Sequence, residues 1–255
     1  MILTSHQPVY LPWLGLFHKI ALADTYCFFD VAQFLLKDWN NRNRIKTTNG
    51  PSWLTVPVHK KGYVEKQINA IEIDNEYDWR KKHWSTLLGY YKKTPHFARY
   101  ADFFEDTYRR EWHVLVDLNE HMLRYFLSVL GISVRFVKAS AYDFAGRKSD
   151  QVLDMCKKLG ASCFIFGEQG RNYAVVEDFT RSGIRVHFQS YRHPVYRQRW
   201  GEFVPYLSIV DLLFNEGAER ARAIIMEGNI TRDELRETCE GEAPFPLAGG
   251  ACDAR

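Results

Sequence analysis

At 255 residues the chain is long enough for one large α/β domain or two small ones with an ample core. Its 46% hydrophobic and 25% charged residues are the proportions of a globular protein, and a formal net charge of +3 is too small to mark a nucleic-acid binder. No apolar run approaches the roughly 18 residues of a membrane span, and the N-terminus lacks the charged region and cleavage site of a signal peptide, so a cytoplasmic location is expected. The first element is a short apolar strand over 2–5, interrupted by His6-Gln7-Pro8 because proline cannot donate to a ladder and restricts the residue before it. Apolar residues at helical spacing predict a helix over 13–24, and 26–29 a second buried strand. In such a β-loop-α-β unit the loop with His6, Gln7 and Tyr10 leaves the carboxyl end of a strand, where ligands of open α/β sheets sit.

The chain then changes character. NRIKTT, NGP and SWLTVPV read as two strands about a turn, a β-hairpin preceded by Trp39, Asn40, Asn41, Arg42 and Asn43. Residues 60–66 are a basic, glycine-containing connection and 68–73 a strand. Residues 77–130 are helical, broken at Thr94-Pro95 and closed by Gly131. His83, His113 and His121 on these helices have no partner at i+4, which argues for surface or boundary histidines and against a metal site. A strand over 132–137, a helix over 149–159 ended by Gly160, a strand over 163–166, a glycine-rich loop, a helix to about 182 and a strand over 184–189 follow. That alternation predicts a mainly parallel sheet. Helices over 207–214 and 218–226 close the fold. The expected organisation is one α/β domain over 1–228 with a helical insertion at about 77–130, then an extension over 229–255 that is mobile from about 241. The five cysteines show no CxxC pair, and Cys27 and Cys156 read as small core residues of a reduced protein.

HQPVYLPWLGLFHKI, ADTYCFFD, VAQF and WNNRNRIK, followed by DMCKKLGA, FGEQGRNY, YRHPVYRQ and FVPYLSIVDLLFNEG, resemble in order and spacing the bacterial WbqC-like family, over roughly residues 1–217. The resemblance implies an association with surface-polysaccharide (O-antigen) assembly, and a glycine transferase role has been proposed for some members. The opening strand-loop-helix-strand is also similar in pattern to nucleotidylyltransferase-type folds, in which a histidine on such a loop grips ATP phosphates, although HxGH is absent. The expected fold is a mainly parallel Rossmann-like sheet of that type, with an inserted β-hairpin and a helical segment.

Three polar loops then carry the candidate chemistry. His6 and His193 are the expected general base and transition-state donor, with Gln7 as an oxyanion donor. Arg42 and Arg44 among Asn41 and Asn43 suit a phosphate or carboxylate, or else the loop is solvated and the asparagines bond their own backbone. Lys19 neutralises a phosphate or snorkels to the surface. In the loop over 167–173, Gly167, Gly170, Arg171 and Tyr173 offer an anion site at a helix N-terminus, or the glycines serve a turn with positive φ. Tyr10, Trp39, Tyr191 and Tyr196 suit the stacking of sugar or base rings, with Gln198 beside them. Trp13, Asp30, Gln33 and Lys46, in or beside the segments quoted above, complete the substrate-binding set. No protein-held metal site is expected, since no HExxH or carboxylate cluster occurs; Mg-ATP is a candidate cofactor. The expected activity is amide formation between an amino acid such as glycine, or a related acyl group, and an amino sugar. The donor is left open among ATP plus amino acid, a charged tRNA and a carrier thioester. The alternatives are another sugar-nucleotide transferase and a non-catalytic scaffold.

Overall fold

The computed structural model describes residues 1–240. Five strands, β1 (Ile2–His6), β2 (Thr25–Phe28), β5 (Arg135–Lys138), β6 (Cys163–Phe166) and β7 (Arg185–Phe188), form one all-parallel sheet in the order β5-β2-β1-β6-β7. β3 (Arg42–Thr47) and β4 (Gly50–Thr55) pair antiparallel as a separate hairpin. The helices are α1 (Leu14–Leu22), α2 (Trp79–Tyr91), α3 (Ala101–Arg109), α4 (Leu115–Val129), α5 (Ser149–Leu159), α6 (Val176–Arg181), α7 (Ile209–Glu216), α8 (Ala218–Met226) and α9 (Arg232–Glu240).

TYCF and CFIF are buried at every position, as expected of parallel strands covered on both faces. Tyr26 and Phe28 join a large core with α1, the hairpin, α2 to α4, α7 and α8, whereas Cys27, Phe164 and Phe166 turn to the other face and pack with Met155 and Cys156 of α5 and Phe179 of α6. The insertion between β2 and β5 thus supplies most of one layer. Among the described residues no helix is long and apolar enough to cross a membrane.

Several expectations are corrected. Residues 68–73 are not a strand: Ile68–Ala70 is a 3-10 turn, and only isolated bridges, Glu72 to Val114 and Ile73 to Val58, hold the segment. Ile68 and Ile71 are buried one 3-10 turn apart while Ile71 and Ile73 alternate about exposed Glu72, so a period-two reading extends the strand pattern over the whole segment. α1 ends at Leu22 because Asp24 takes the Ile2 N–H at 2.7 Å, tying the chain back to the sheet. The last sheet-side helix is only Val176–Arg181, preceded by a 3-10 turn over Glu168–Asn172. α7 starts late, since Ser208 caps it by accepting from the Val210 N–H. α9, unread in the sequence, docks Leu235 against Ile2, Leu22 and Ala23, with Arg232 and Arg236 both paired to Asp24. The tail expected to be mobile from about 241 lies outside the described residues.

Candidate functional site

The strand order reverses between β1 and β6: β2 and β5 lie to one side of this pair and β7 to the other. At such a switch point the connections leave in opposite directions and open a crevice outside the carboxyl ends of the strands. β1 ends there in His6 and β6 in Phe166, with Gly167 next in the chain. Into the same place α1 sends Lys19, whose Nζ donates to the Ser5 carbonyl at 2.9 Å and lies 3.9 Å from where a side chain on Gly167 would begin. Lys19 is 3% exposed and, among the described residues, has no carboxylate partner. It does not snorkel. Burial alone lowers its pKa to about 7. His6, held by its Nδ1 against the Gln7 carbonyl at 2.8 Å, is pushed down to about 3 by burial and by the neighbouring Lys19 charge. With Nδ1–H donating to a carbonyl, the neutral imidazole presents Nε2 as an acceptor.

The loop after His6 is over-determined. Asn40 donates to the Pro8 carbonyl at 2.8 Å and to Gln7 Oε1 at 3.4 Å, and Asn43 donates to the Leu11 and Tyr10 carbonyls at 2.6 and 3.3 Å. Asn119 of α4 in turn donates to the Asn40 carbonyl, and Asn41 to that of Val56. The asparagine run is therefore a buried clamp on the 7–12 loop and on Val56 just after β4, neither a solvated loop nor a fan of free donors. It holds Leu11 in the left-handed region, φ 46°, which a leucine adopts only under constraint. Tyr10 is fully buried, its hydroxyl bonded to His83 Nδ1 at 2.9 Å and to the Tyr108 hydroxyl at 2.6 Å. His83 is thus a core histidine, 3% exposed, held down at about 4 by burial. His113 does lie at the surface, and His121 is partly buried against Thr107. Trp13 folds its ring over Gly15, where a Cβ would sit 2.2 Å from it, and meets Tyr191 and Tyr206.

His193 stands in this aromatic group with Tyr191, Tyr196, Phe203 and Tyr206. Both its ring nitrogens are engaged by backbone: Nδ1 donates to the Pro194 carbonyl at 2.8 Å and Nε2 accepts from the Tyr206 N–H at 3.1 Å. No hydrogen bond or ring contact joins it to His6 among the described residues. Tyr196 and Gln198 point elsewhere. Tyr196 and Tyr91 donate to the two oxygens of buried Asp211 at 2.9 and 2.7 Å, and Lys46 donates to Gln198 Oε1 at 3.0 Å and to the Glu202 carbonyl. Burial raises Asp211 to about 6 against the two tyrosine donors.

The remaining candidates scatter. Asp30 gives both oxygens to Ser140, at 2.8 Å from its N–H and 2.6 Å from its hydroxyl, and so anchors the turn after β5. Gln33 donates to the Val64 carbonyl at 2.7 Å near the surface. Gly167 has φ −73°, and Gly170 is required because a Cβ would meet the Phe166 Cβ at 2.6 Å and its ring at 2.7 Å, so close packing rather than positive φ explains the glycine. Arg171 stacks over Phe188 at 4.7 Å and pairs with Glu168, while Tyr173 packs on Phe166. Trp39, Arg42 and Arg44 face outward from the hairpin region with Trp53. Sequence reasoning missed His83, Asp211 and the His18–Gln189 pair, in which Gln189 Nε2 donates to His18 Nδ1 at 2.8 Å and to the Gly15 carbonyl at 2.9 Å. The placement of Gln189 directly after β7 was the available signal. Among the described residues, no group of three or more His, Cys, Asp or Glu side chains could hold a metal ion.

A family model described as the WbqC-like protein family matches residues 7–223. The chain is also 39% identical over 217 residues to a Mycobacterium tuberculosis protein described as uncharacterized protein Rv1507c, a similarity that covers 84% of this chain and 93% of the relative.

Proposed function

Because this chain belongs to the WbqC-like protein family and keeps a buried, uncompensated ammonium at the switch point of its sheet, we propose that it is a transferase. It forms an amide between an amino acid such as glycine, or a related acyl group, and an amino sugar. The observation that carries the reading is Lys19 beside His6. A lysine buried without a counter-charge costs stability, and an anion in the crevice supplies the missing partner. The phosphate or carboxylate of an activated acyl donor has that charge.

In this reading Lys19 holds the donor's anion. His6 Nε2 takes the proton released as the amine nitrogen attacks the acyl carbonyl; the C–N bond forms, the bond to the leaving group breaks, and Lys19 stabilises the departing negative charge. Burial is the larger cause that depresses His6 and the Lys19 charge the lesser; an anion against Lys19 offsets the second and shifts the imidazole upward. In the same reading the Gln7 amide, whose Oε1 accepts from Asn40, donates to the oxyanion through its nitrogen. His193 acts by holding the 191–206 segment against Trp13.

The test is product formation, followed by mass spectrometry, from a nucleotide-linked amino sugar with three glycyl sources: glycine with Mg-ATP, glycyl-tRNA and a glycyl thioester. Wild-type protein yields the amide with one of them, and Lys19→Met and His6→Ala, each checked for folding by circular dichroism, lose it. Full turnover in both variants, or no product from any donor, overturns the proposal.

A further inference from the structure

The outer face of the hairpin carries a second feature that the crevice chemistry leaves unused. Trp39 and Trp53 are 40% and 44% exposed, an unusual condition for tryptophan, and their rings meet at 5.2 Å and 41°. Arg42 lies over the Trp53 ring at 4.3 Å, and Arg44 lies 5.8 Å from both rings. The register pairs Arg44 with Trp53 and Arg42 with Thr55, so all four share one side of the hairpin. Neither arginine has a carboxylate partner among the described residues, and Arg44 Nε is buried without a hydrogen-bond partner. Buried guanidinium nitrogens are ordinarily satisfied, so this one points to a missing acceptor.

Trp53 also lines a groove of about 490 Å³ between β4 and α2, together with Thr55, Tyr77, Asp78, Lys82 and His83. That is the size of a small-molecule site. Tyr77 is 64% exposed, so a second ring is open to solvent here. Thr55 and Thr86 hydroxyls, the Asp78 carboxylate and the Lys82 ammonium supply both donors and acceptors around these rings. Aromatic faces beside mixed donors and acceptors match a pyranose, which has C–H faces and a rim of hydroxyls. The tilt of Trp39 on Trp53 makes no parallel slot for a flat base.

We propose that this groove and the arginine edge beside it bind a pyranose sugar that carries an anionic group, phosphate or carboxylate, at a site separate from the β1–β6 crevice. Trp53 is the stacking platform, Arg44 takes the anion with support from Arg42, whose Nε and Nη2 already donate to the Asp38 and Lys37 carbonyls, and Asp78 and Lys82 bond the ring hydroxyls. The two sites are connected: His83 at the back of the groove holds the Tyr10 hydroxyl at 2.9 Å, and Tyr10 belongs to the loop that follows His6. The inference does not rest on the transferase reading, since binding is measured without turnover.

Tryptophan fluorescence titrations test it, with N-acetylglucosamine 1-phosphate, glucuronic acid, neutral N-acetylglucosamine, inorganic phosphate and uridine monophosphate as probes. Saturable binding is expected of the first two, and the stronger of them names the anion. Trp53→Ala weakens it by about tenfold or more, followed by the remaining tryptophans or by calorimetry. Arg44→Gln brings the anionic sugars down to the affinity of the neutral one, and Lys19→Met leaves them unchanged. Trp53 is substantially exposed, so its alanine variant folds. Four results overturn the proposal: no saturable binding of either anionic sugar, equal binding of phosphate or of uridine monophosphate alone, affinities untouched by Trp53→Ala and Arg44→Gln, or binding lost in Lys19→Met.

Discussion

Replacing Lys19 by methionine should stabilise the protein while disabling the crevice. The folded-state pKa of Lys19 falls from 10.5 to about 7 through burial. At 1.36 kcal/mol per unit, holding the ammonium in the fold at pH 7 costs on the order of 4 kcal/mol. Methionine removes that cost and keeps most of the volume, but it strands the Ser5 carbonyl, which Lys19 Nζ reaches at 2.9 Å. An unsatisfied carbonyl forfeits about 1–3 kcal/mol, so the net gain is about 1–3 kcal/mol, or several degrees in melting temperature for a chain of this size. The pH dependence identifies the cause. Because the folded lysine binds its proton less tightly than the unfolded one, the penalty is complete below about pH 7 and is relieved as the pH rises toward 10.5. The advantage of Lys19→Met in urea denaturation should therefore be full at pH 6 to 7 and shrink or reverse by pH 10. Groups that titrate in both proteins cancel in the difference. A variant no more stable than wild type at pH 6, or a difference flat from pH 6 to 10, would show that Lys19 is compensated in the fold and would remove the argument for an anion site.

Asn43→Ala strands the Leu11 and Tyr10 carbonyls and releases the left-handed Leu11, at a cost of about 2–3 kcal/mol with faster amide exchange over residues 8–13; a loss below about 0.5 kcal/mol would refute the clamp. Asp211 is raised to about 6, so its contribution is full below its unfolded value near 3.8 and fades as the pH rises through 6. Relative to Asp211→Asn, wild type should lose about 2–3 kcal/mol across that window, and a pH-independent difference would place the charge elsewhere. Gly15→Ala puts a Cβ 2.2 Å from the Trp13 ring and forces it off Tyr191 and Tyr206. Despite alanine's better helix propensity, melting should fall by several degrees, an outcome absent if the ring swings without penalty.

Strands that are buried on both faces announce themselves as short unbroken apolar runs, which is why 26–29 and 163–166 were legible, and with them the parallel sheet. The run over 68–73 has the same composition but hangs on isolated bridges, and nothing local distinguishes a ladder from a 3-10 turn followed by bridges. α9 was unreadable for the opposite reason. It is mostly polar, with one buried leucine and two arginines that find Asp24 more than 200 residues away. At the site, the location of the loop after β1 followed from the β-loop-α-β order. The division of labour within the polar residues did not. Asn41, Asn43 and Asp30 have side chains that suit a ligand equally well, and only the fold shows that backbone carbonyls and Ser140 already occupy them.

That division makes the arrangement around Lys19 informative. The 7–12 loop and the 191–206 segment are each pinned by hydrogen bonds within the protein. Asn40 and Asn43 hold one, His193 holds the other, and Tyr10 is locked by His83 and Tyr108. Lys19 is held differently, by one carbonyl and, among the described residues, no carboxylate, at the place where the sheet topology opens a crevice. A buried ammonium without a carboxylate partner among the described residues is a stability deficit at a place where binding energy can recover it. An anion that meets Lys19 finds a charge already desolvated and already oriented, so little reorganisation opposes the interaction.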